Sequence, residues 1–506
     1  MKPRFSKTQG GTLIMVLLII TVLSLVVAAY YQTLVPKYRG TYQASSWQEA
    51  LHGAEAGADN VIRSLNTWAT TTTDPDAYPW TSNNWTVTDP TYSQNGERTL
   101  DTASLPNLGG NNQIRVTKVS VDVYTREATG TTPTYNPWFR IRSTARANLP
   151  GKYVTSDSRD MQLRRMKLAA KNGGADDPYV TRTVEVVMRP RYRFSRAITS
   201  VTDLSLGNSN NWVVDSFDSG NTAKSEPGTA AGGVYPANTP SEVQSNGSIA
   251  SAKARPSSDP YGALIAGNGA VVKGDVQTFG GDDLNTTVHE NVSGSQNMDQ
   301  SRITDDFDEQ ISALTEPVWT SWTYQGTGPS SYTTGTKANP NRYVITGNLG
   351  TFAVTAPATG TTGYIEIVVT GDLSTGNGNN AGITIPPNVY ATIWVRGNVD
   401  FGNGNINSNS SSSKVASHLS VIGTSTSSSA TFSASGNAVE DLTFYGPAYA
   451  ATLNGTVETS GSFVVKSFSI SGGGNGGFHY DEALGQGGTI AGWQVASYFE
   501  DTRGDL

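Results

Sequence analysis

The chain has 506 residues, a formal net charge of −7 at pH 7, 15% charged residues and no cysteine. A chain of this length exceeds one ordinary hydrophobic core, so we expect two or three domains. The lack of cysteine excludes disulfides, thiol chemistry and thiolate metal sites. The 54 glycines, with many Ser, Thr and Asn, are typical of exported β-rich proteins with many turns.

Charge is distributed unevenly along the chain. Residues 140–196 contain 14 Lys and Arg against 5 Asp and Glu, whereas residues 197–506 contain 11 against 27. Arg182, Arg189, Arg191 and Arg193 alternate as on a strand, so the basic block is either a solvated strand face or an anion or partner surface. No nucleic-acid partner is expected.

The N-terminus begins with a short basic segment that contains Lys2, Arg4 and Lys7, followed by a strongly apolar run from Leu13 to Tyr31. As a helix that rises ~1.5 Å per residue, this run can cross the ~30 Å hydrocarbon layer of a membrane. The basic flank predicts a cytoplasmic N-terminus, with the bulk of the chain extracytoplasmic. A cleaved secretory signal is the alternative, because Val27-Ala28-Ala29 offers an A-x-A-like site.

A seam of small and apolar residues continues beyond this run. Its members recur at spacings of three and four: Ala44, Trp47, Leu51, Ala54, Ala58, Val61 and Leu65, followed by Trp68. The pattern predicts one long amphipathic helix, bent or loosened at Pro36 and Gly40. Packing of the seam on this chain's own sheet and packing on neighbouring subunits both remain open.

The leader resembles the class III signal of type IV pilins, which is cleaved after a glycine. Gly10 ends the leader, and Thr12, Leu13 and Ile14 match the family core in register. The resemblance implies cleavage between Gly10 and Gly11 by prepilin peptidase. The stretch Ala54-Glu55-Ala56-Gly57 is similar to the AEAG segment of PilX-type minor pilins.

Two positions depart from the pilin pattern. Gly11 stands where Phe is usual, and Met15 stands where major pilins carry Glu. In the family, that Glu pairs with the N-terminal amine of a neighbouring subunit during assembly, and minor components can lack it. The resemblance therefore implies a minor pilin, with other pilin-like subunits, the pilus assembly machinery, prepilin peptidase and the membrane as partners.

The middle of the chain predicts a small antiparallel sheet. Residues 70–91 are rich in loop-forming residues, and strand-like alternation follows at residues 113–124, 138–146 and 180–189. We expect these strands to pack on the C-terminal half of the helix as a pilin-like head.

Beyond residue 195 the sequence changes to a repeat. Strand-like runs begin at Ile365, Ala391, His418, Asp441 and Ser462, at intervals of 26, 27, 23 and 21 residues. This spacing predicts a β-solenoid, with earlier coils at residues 197–216 and 262–276. Residues 299–317 show helical spacing through Ile303, Phe307 and Ile311, and we expect them to interrupt the solenoid or to pack across it.

A short motif near the C-terminus comprises Phe478, His479, Tyr480, Asp481 and Glu482. It closely resembles the ending of the β-helix domain that is often fused to PilX-type N-termini, a domain without a known catalytic role. The resemblance implies a right-handed parallel β-helix. Because neighbouring residues of a strand point to opposite faces, at most two of the motif's acid, base and phenol groups converge, and we favour a structural role.

The predicted organisation is α+β: a leader (1–10), a transmembrane and amphipathic helix (11–66), a pilin-like β module (67–195), a mainly-β solenoid (196–485) and a C-terminal tail (486–506). We expect no cofactor, metal site or catalytic site, since only four His are present. The expected protein is a structural or adhesive minor pilin-like subunit of the bacterial inner membrane and then of a pilus or cell surface, with a surface or glycan ligand. A stationary membrane-anchored β-helix protein and a polysaccharide-processing enzyme are the alternatives.

Overall fold

The computed structural model describes residues 8–71, 85–87, 98–100, 114–124, 138–148, 179–206, 212–227, 233–237, 241–254, 264–265, 271–279, 302–304, 307, 309, 311–378, 381–409, 412–471, 475–487 and 490–501. Helix α1 spans Thr8–Thr71 and continues through Pro36 and Gly40. Gly10 and Gly11 lie near its start, and residues 1–7 of the predicted leader lie outside the described residues.

Five strands follow α1: β1 (Trp85–Val87), β2 (Arg98–Leu100), β3 (Ile114–Tyr124), β4 (Trp138–Asn148) and β5 (Tyr179–Tyr192). Ten more precede residue 305: β6 (Ile198–Ser200), β7 (Leu204–Ser205), β8 (Val213–Phe217), β9 (Glu226–Pro227), β10 (Gly233–Val234), β11 (Ile249–Ala254), β12 (Leu264–Ile265), β13 (Val271–Val272), β14 (Val276–Phe279) and β15 (Ile303–Thr304).

The remaining strands are β16 (Tyr324–Gly326), β17 (Asn341–Ile345), β18 (Phe352–Ala353), β19 (Gly363–Val369), β20 (Leu373–Ser374), β21 (Gly382–Thr384), β22 (Val389–Val395), β23 (Val399–Asp400), β24 (Asn405–Ile406), β25 (Leu419–Gly423), β26 (Thr431–Gly436), β27 (Val439–Gly455), β28 (Glu458–Ser471), β29 (Gly477–Asp481) and β30 (Ile490–Asp501). A 3-10 turn at Ala416–His418 precedes β25, and a short helix α2 (Leu484–Gly487) follows β29.

The chain divides into two compact units. Unit 1 contains residues 1–190 and 492–506, and unit 2 contains residues 191–491. In chain order, unit 2 is therefore an insertion between β5 and β30, which are neighbours in one sheet. Residues 486–506, interpreted above as a tail, instead include β30, because its pairing partner lies about 300 residues earlier and leaves no local pattern.

Unit 1 contains α1 and a six-stranded sheet with the order β1-β2-β3-β4-β5-β30. The pairs from β1 to β5 are antiparallel. Alternate residues of β4 are buried, among them Phe139, Ile141 and Ala145, as expected for a sheet with one face in the core. Because α1 contacts both β3 and β4, the buried face of the sheet and the helix form one core.

Unit 2 is mainly β and is organised around a large parallel sheet, with a small antiparallel pair of β9 and β10. The five runs that the repeat pattern predicted form β19, β22, β25, β27 and β28, and successive members pair in parallel. Their inward residues form a continuous stack, in which Ile365, Ala391, Leu419 and their neighbours are at most 3% exposed. The stack removes apolar surface from water along its whole length.

The order of pairing in unit 2 does not follow the chain. The parallel pairings run β16-β17-β19-β22-β25-β27-β28-β6-β11-β14-β15, and we call this series of strands the ladder. The chain enters the ladder at its middle, with β6, and proceeds to one end at β15. It then crosses to the other end at β16 and returns strand by strand until β28 pairs with β6.

Polar side chains hold successive turns of the ladder in register. Asn348 Oδ1 accepts a hydrogen bond from the backbone N–H of Asp372 at 2.9 Å, and Asp372 Oδ1 accepts one from Asn398 at 2.7 Å. A second column links Asn377 Oδ1 to the N–H of Asn403 and Asn403 Oδ1 to the N–H of Asn437. These side chains pair backbone N–H groups at turns, which the ladder strands cannot reach.

The helical prediction for residues 299–317 is wrong for the residues that the structure describes. Residues 303–304 form β15, and residues 311–317 have no regular secondary structure. Pro317 disfavours helical geometry at Glu316, and the segment has to cross the strands between the two ends of the ladder. The other part of the prediction, packing across the strands, agrees with the contacts of Leu314 with Val368, Trp394 and Ile422.

We expect Val421→Asp to destabilise unit 2 by several kcal/mol. Val421 is fully buried between Ile393 and Phe444 of the neighbouring strands, so the substitution places an unpaired charge in an apolar stack. Ser420→Asp is the matched control, because Ser420 points to the opposite, partly exposed face. Thermal unfolding monitored by far-UV circular dichroism should show a large loss of stability for Val421→Asp only. Equal losses of stability in both variants would contradict the inward orientation of Val421.

Candidate functional site

The first candidate site is α1, whose two halves have different environments. Every described side chain from Leu13 to Thr33 is exposed. The helix is long and apolar enough to cross a membrane by length and composition. These 21 residues would span about 31 Å at 1.5 Å per residue, close to the ~30 Å of a hydrocarbon layer.

The C-terminal half of α1 is buried along one stripe. Ala54, Ala58, Val61 and Leu65 of the predicted seam are at most 2% exposed. The stripe continues toward the N-terminus through Ala50 and Ser46, whereas Ala44 and Trp47 are exposed and Leu51 is half-buried. The side chain of Trp68 lies outside the described part of the chain. The stripe packs on the chain's own sheet, which was one of the two interpretations left open.

The positions of Gly53 and Gly57 explain why the buried stripe differs from the predicted seam. A Cβ atom added at Gly53 would lie 2.8 Å from Ile114 and 2.9 Å from Ala145, and one at Gly57 would lie 3.1 Å from Val116. The helix face that meets the sheet is therefore centred on these glycines, because only they allow β3 and β4 to approach so closely. Trp47 instead lies under the guanidinium of Arg182, 4.9 Å from its ring centre.

The edge strand β30 is fastened along the same half of α1. Asn66 Oδ1 accepts a hydrogen bond from the backbone N–H of Trp493 at 2.7 Å, and Glu55 Oε1 accepts one from Tyr498 Oη at 2.9 Å. The ring of Trp493 also packs edge-on against Phe139, with 4.5 Å between ring centres. The C-terminal strand therefore closes the core that the helix and sheet share.

We expect Gly57→Val to destabilise unit 1 by about 1–3 kcal/mol, the usual cost of overpacking a tight core. Its side chain would collide with Ser143 and with the valines of β3. Gly40→Val is the matched control, because a Cβ at Gly40 has no atom within 4 Å. Thermal unfolding of the detergent-solubilised chain measures both; a Gly57→Val variant as stable as the control would contradict the close packing.

The second candidate site is the motif formed by residues 478–482, most of which lies on β29. Phe478 and Tyr480 point into the core of unit 2. His479 and Asp481 point to the opposite face, where they are 6% and 0% exposed. The alternation expected for a strand therefore separates the motif into an apolar pair and a polar pair.

His479 lies between two carboxylates. Its Nδ1 is 2.6 Å from Asp215 Oδ1, and its Nε2 is 2.9 Å from Glu458 Oε2. Asp215 lies on β8 and Glu458 on β28, so the imidazole joins strands on both sides of β29. Tyr235 stacks on the imidazole with 3.5 Å between ring centres, and its hydroxyl donates to Asp215 Oδ2.

The carboxylates determine the protonation of His479. Burial by itself lowers the pKa of this imidazole, but Asp215 and Glu458 outweigh burial and raise it to about 9. Both ring nitrogens of the imidazolium then donate, one to each carboxylate. Lys273 adds a second cation, with its Nζ 3.4 Å from Asp215 Oδ2.

Asp481 and Glu482 bind other parts of the segment that begins unit 2. Asp481 accepts hydrogen bonds from the backbone N–H and the hydroxyl of Ser219 at 3.0 and 2.7 Å. Glu482 Oε1 accepts from Ser216 Oγ and Asn246 Nδ2 at 2.8 and 2.9 Å. Burial raises the pKa of Asp481 to about 6, so the hydrogen bonds from Ser219 matter for keeping it ionised near neutral pH.

A neighbouring carboxyl group lies in the core itself. Glu440 is fully buried, and its Oε2 accepts a hydrogen bond from Thr459 Oγ1 at 3.2 Å. Burial raises its pKa to about 8, which favours the neutral acid at pH 7. Burial also raises the pKa of Asp441 to about 7. Both side chains are buried, so their geometry suits packing within unit 2.

The polar groups of the motif are occupied by protein partners. Among the described residues, no group of three or more His, Cys, Asp or Glu side chains could hold a metal ion. The partners of His479, Asp481 and Glu482 in the segment that begins unit 2 lie between residues 215 and 246, so the motif joins β28 and β29 to β8 and its loops. The arrangement can stabilise this junction through ion pairs and hydrogen bonds.

No local sequence pattern indicates the partners of this motif. His479 and Asp215 become neighbours only because β29 pairs in parallel with β8, and Tyr235 and Lys273 come from a loop and from the end of β13. His418, the other described histidine of unit 2, lies near Tyr390 instead, and burial lowers its pKa to about 4. His289 lies outside the described residues.

We expect the stabilisation from His479 to be lost at alkaline pH. The folded pKa of about 9 lies above the ordinary value of 6.5, so this stabilisation is complete below pH 6.5 and disappears as pH rises through about 9. The difference in unfolding free energy between the wild type and His479→Gln should shrink over this range, by about 1.4 kcal/mol for each unit of pKa difference.

Glu440 also loses stabilisation as pH rises, but His479 does not act on its pKa, so its contribution cancels in the difference. The charge of His479 lowers the pKa of Asp441, so the measured difference includes this coupling. His418→Gln is the matched control: with a pKa of about 4, His418 is neutral throughout this range and should give a pH-independent difference. Urea unfolding at pH 6 to 10 measures both. A pH-independent difference for His479→Gln would contradict a charged His479 held between Asp215 and Glu458.

Residues 331–486, less than half of the chain, match the model of a family described as a domain of unknown function (DUF7305). No curated protein sequence matches the chain. Among solved structures, the chain is similar to a competence-associated pilin, ComZ, from Thermus thermophilus, with 10% identity over 90% of this chain and 97% of that chain. The TM-score is 0.20, which carries no argument about fold or function.

Proposed function

We propose that the protein is a membrane-anchored minor subunit of a type IV pilus or a related system. The observation that carries this proposal is the division of α1 into an exposed apolar half and a half buried against the chain's own antiparallel sheet. One helix can thus serve both as a lipid anchor before assembly and as the spine of an extracytoplasmic head. The basic leader favours a cytoplasmic N-terminus.

Sequence features at the N-terminus support a pilin-type origin, in particular a PilX-type one. Gly10 and Gly11 are the proposed cleavage site for prepilin peptidase. The stretch Ala54-Glu55-Ala56-Gly57 supplies one residue of the buried stripe, Ala54, and one of the two close-approach glycines, Gly57. Met15 cannot neutralise the amine of a neighbouring subunit, so the chain is poorly suited to repeat along a fibre. Incorporation in small amounts, at a tip or initiating position, avoids leaving the amines of many neighbouring subunits unpaired.

Unit 2 is proposed to be a right-handed β-solenoid that is displayed as an interaction module. The parallel pairings at intervals of 17–28 residues and the two columns of Asn and Asp side chains support the solenoid. The right hand follows the general preference of parallel crossovers. A surface or glycan is the proposed ligand, and a non-enzymatic role fits a motif whose polar groups are already paired.

The N-terminal peptide of the protein, measured by mass spectrometry in membranes and in sheared fibres, tests this function. We expect a mature N-terminus at Gly11 and an abundance in fibres well below that of the main subunit. Gly10→Val should retain the leader, because its side chain obstructs the cleavage site, whereas Gly40→Val adds the same bulk elsewhere and should be processed normally.

Three outcomes would contradict parts of the proposal. A mature N-terminus at Tyr30 would indicate an ordinary secretory signal and would remove the anchor. Abundance equal to that of the main subunit would overturn the minor role. Complete absence from fibres, with correct processing, would indicate the alternative of a stationary membrane-anchored surface protein.

A further inference from the structure

The segment of residues 311–322, which we call the strap, crosses the strands of the ladder. Just before it, Glu309 pairs with Arg196, beside β6, at 2.9 Å. At its far end, Trp319 lies 5.6 Å below the guanidinium of Arg342 on β17. Between these points the ladder passes through β28, β27, β25, β22 and β19.

The strap has to be nearly fully extended to make this crossing. Six inter-strand steps of ~4.8 Å amount to about 29 Å. The ten residues from Glu309 to Trp319 reach at most about 33–36 Å. An extended peptide therefore lies across the strands, and Pro317 supports that geometry because it disfavours a helical Glu316.

Apolar side chains beneath the strap form one row. Val368, Trp394, Ile422 and Tyr445 occupy equivalent positions on successive strands. Tyr445 also belongs to the main core of unit 2. The first three form a separate cluster, 2–8% exposed, against which Leu314 and Trp319 pack. We call this row, together with Arg342 and Arg396, the strap groove.

Polar contacts fix the register of the strap in the groove. Arg396 makes a bidentate pair with Glu316, with both N–O distances at 2.7 Å. Tyr445 Oη donates to the backbone carbonyl of Ser312 at 2.6 Å. A planar guanidinium that faces a carboxylate on both oxygens recognises its geometry as well as its charge. The groove thus binds an acidic residue, Glu316, that lies two positions after the apolar residue Leu314 and three positions before Trp319.

The ladder makes these contacts through its side chains, and the strap contributes side chains and the backbone carbonyl of Ser312. Among the described residues, backbone-to-backbone hydrogen bonds join the neighbourhood of the strap to the ladder only at Phe307 and Thr323, outside the strap itself. Val318 is 94% exposed and Trp322 46%, so the outer side of the strap is open to solvent. This is how a peptide ligand docks in a groove, and it differs from the continuous backbone pairing of the ladder strands.

We propose that the strap groove is a peptide-recognition site that the strap occupies as an intramolecular ligand. Its ligand class is an extended, proline-containing peptide with a glutamate between two large apolar residues, and the occupant in trans is the same segment of a second copy of this chain. Tethering gives the strap a high local concentration, so the same segment of another chain binds only when the tethered one is weakened. The strap lies wholly in unit 2, so its docking does not depend on α1.

A labelled synthetic peptide of residues 309–322 (EQISALTEPVWTSW) is the probe, and the full chain in detergent is the receptor. Fluorescence anisotropy should show at least tenfold tighter binding to a variant with Leu314→Ala, Glu316→Gln and Trp319→Ala than to the wild type. Adding Arg396→Glu to the weakened receptor should abolish the gain in affinity. A peptide that carries Glu316→Arg should bind this charge-reversed receptor tightly again. Arg396 is half-exposed, so its substitution leaves the core intact.

Far-UV circular dichroism and thermal unfolding establish that each receptor is folded. If the triple variant does not fold, the milder Glu316→Arg variant replaces it, and the same probe and charge-swapped pair are measured. Equal binding of the probe to the wild type and to a folded weakened variant would overturn the proposal, as would indifference to the charge at Arg396. Either result would make the strap a permanent part of the unit 2 fold.

Discussion

The parallel pairing of β28 with β6 joins two parts of the chain that lie far apart in sequence, and unit 2 depends on it. Thr202 donates a backbone hydrogen bond to Lys466, 264 residues further along the chain, and Phe463 lies beside Ile198. Without this pairing, each part would expose an unpaired strand edge and one end of its apolar stack, both of which are costly in water. The motif at residues 478–482 strengthens the same junction, since its charged groups bind β8 and the loops that follow it.

The junction also explains the distribution of buried charge in unit 2. Asp215, His479 and Lys273 occupy neighbouring strands, so opposite charges alternate from one strand to the next. Each charge loses water on burial, and the adjacent strand supplies the compensating partner. Removing one partner would leave the others unpaired, which makes the cluster a strong constraint on which strands become neighbours. The apolar strands of the ladder are constrained differently, by their buried face and by the polar columns at the turns.

In each unit, apolar surface on a sheet is covered by another segment of the chain. In unit 1, Gly53 and Gly57 let a helix approach a sheet closely, and β30 then closes the core by hydrogen bonds to Asn66 and Glu55. In unit 2, the strap covers outward apolar residues that the turns of the ladder leave uncovered. In both units a segment distant in sequence completes a surface that the local elements cannot bury by themselves. Because β5 and β30 are neighbours in one sheet, unit 2 is an insertion between them in chain order. Such an insertion can fold as a separate module.

The sequence by itself determined the features that depend on neighbouring residues. The apolar run before Lys37, the strands β3, β4 and β5, the repeat from Ile365 to Ser462 and the separation of Phe478 from His479 by strand alternation all follow from local composition and periodicity. Only the tertiary structure decided the order of strands in the ladder, the extended geometry of residues 311–317, the place of β30 and the partners of His479. Each of these depends on backbone pairing between residues tens to hundreds of positions apart. Such pairing fixes position through hydrogen-bond register, which a one-dimensional pattern of apolar and polar residues does not encode.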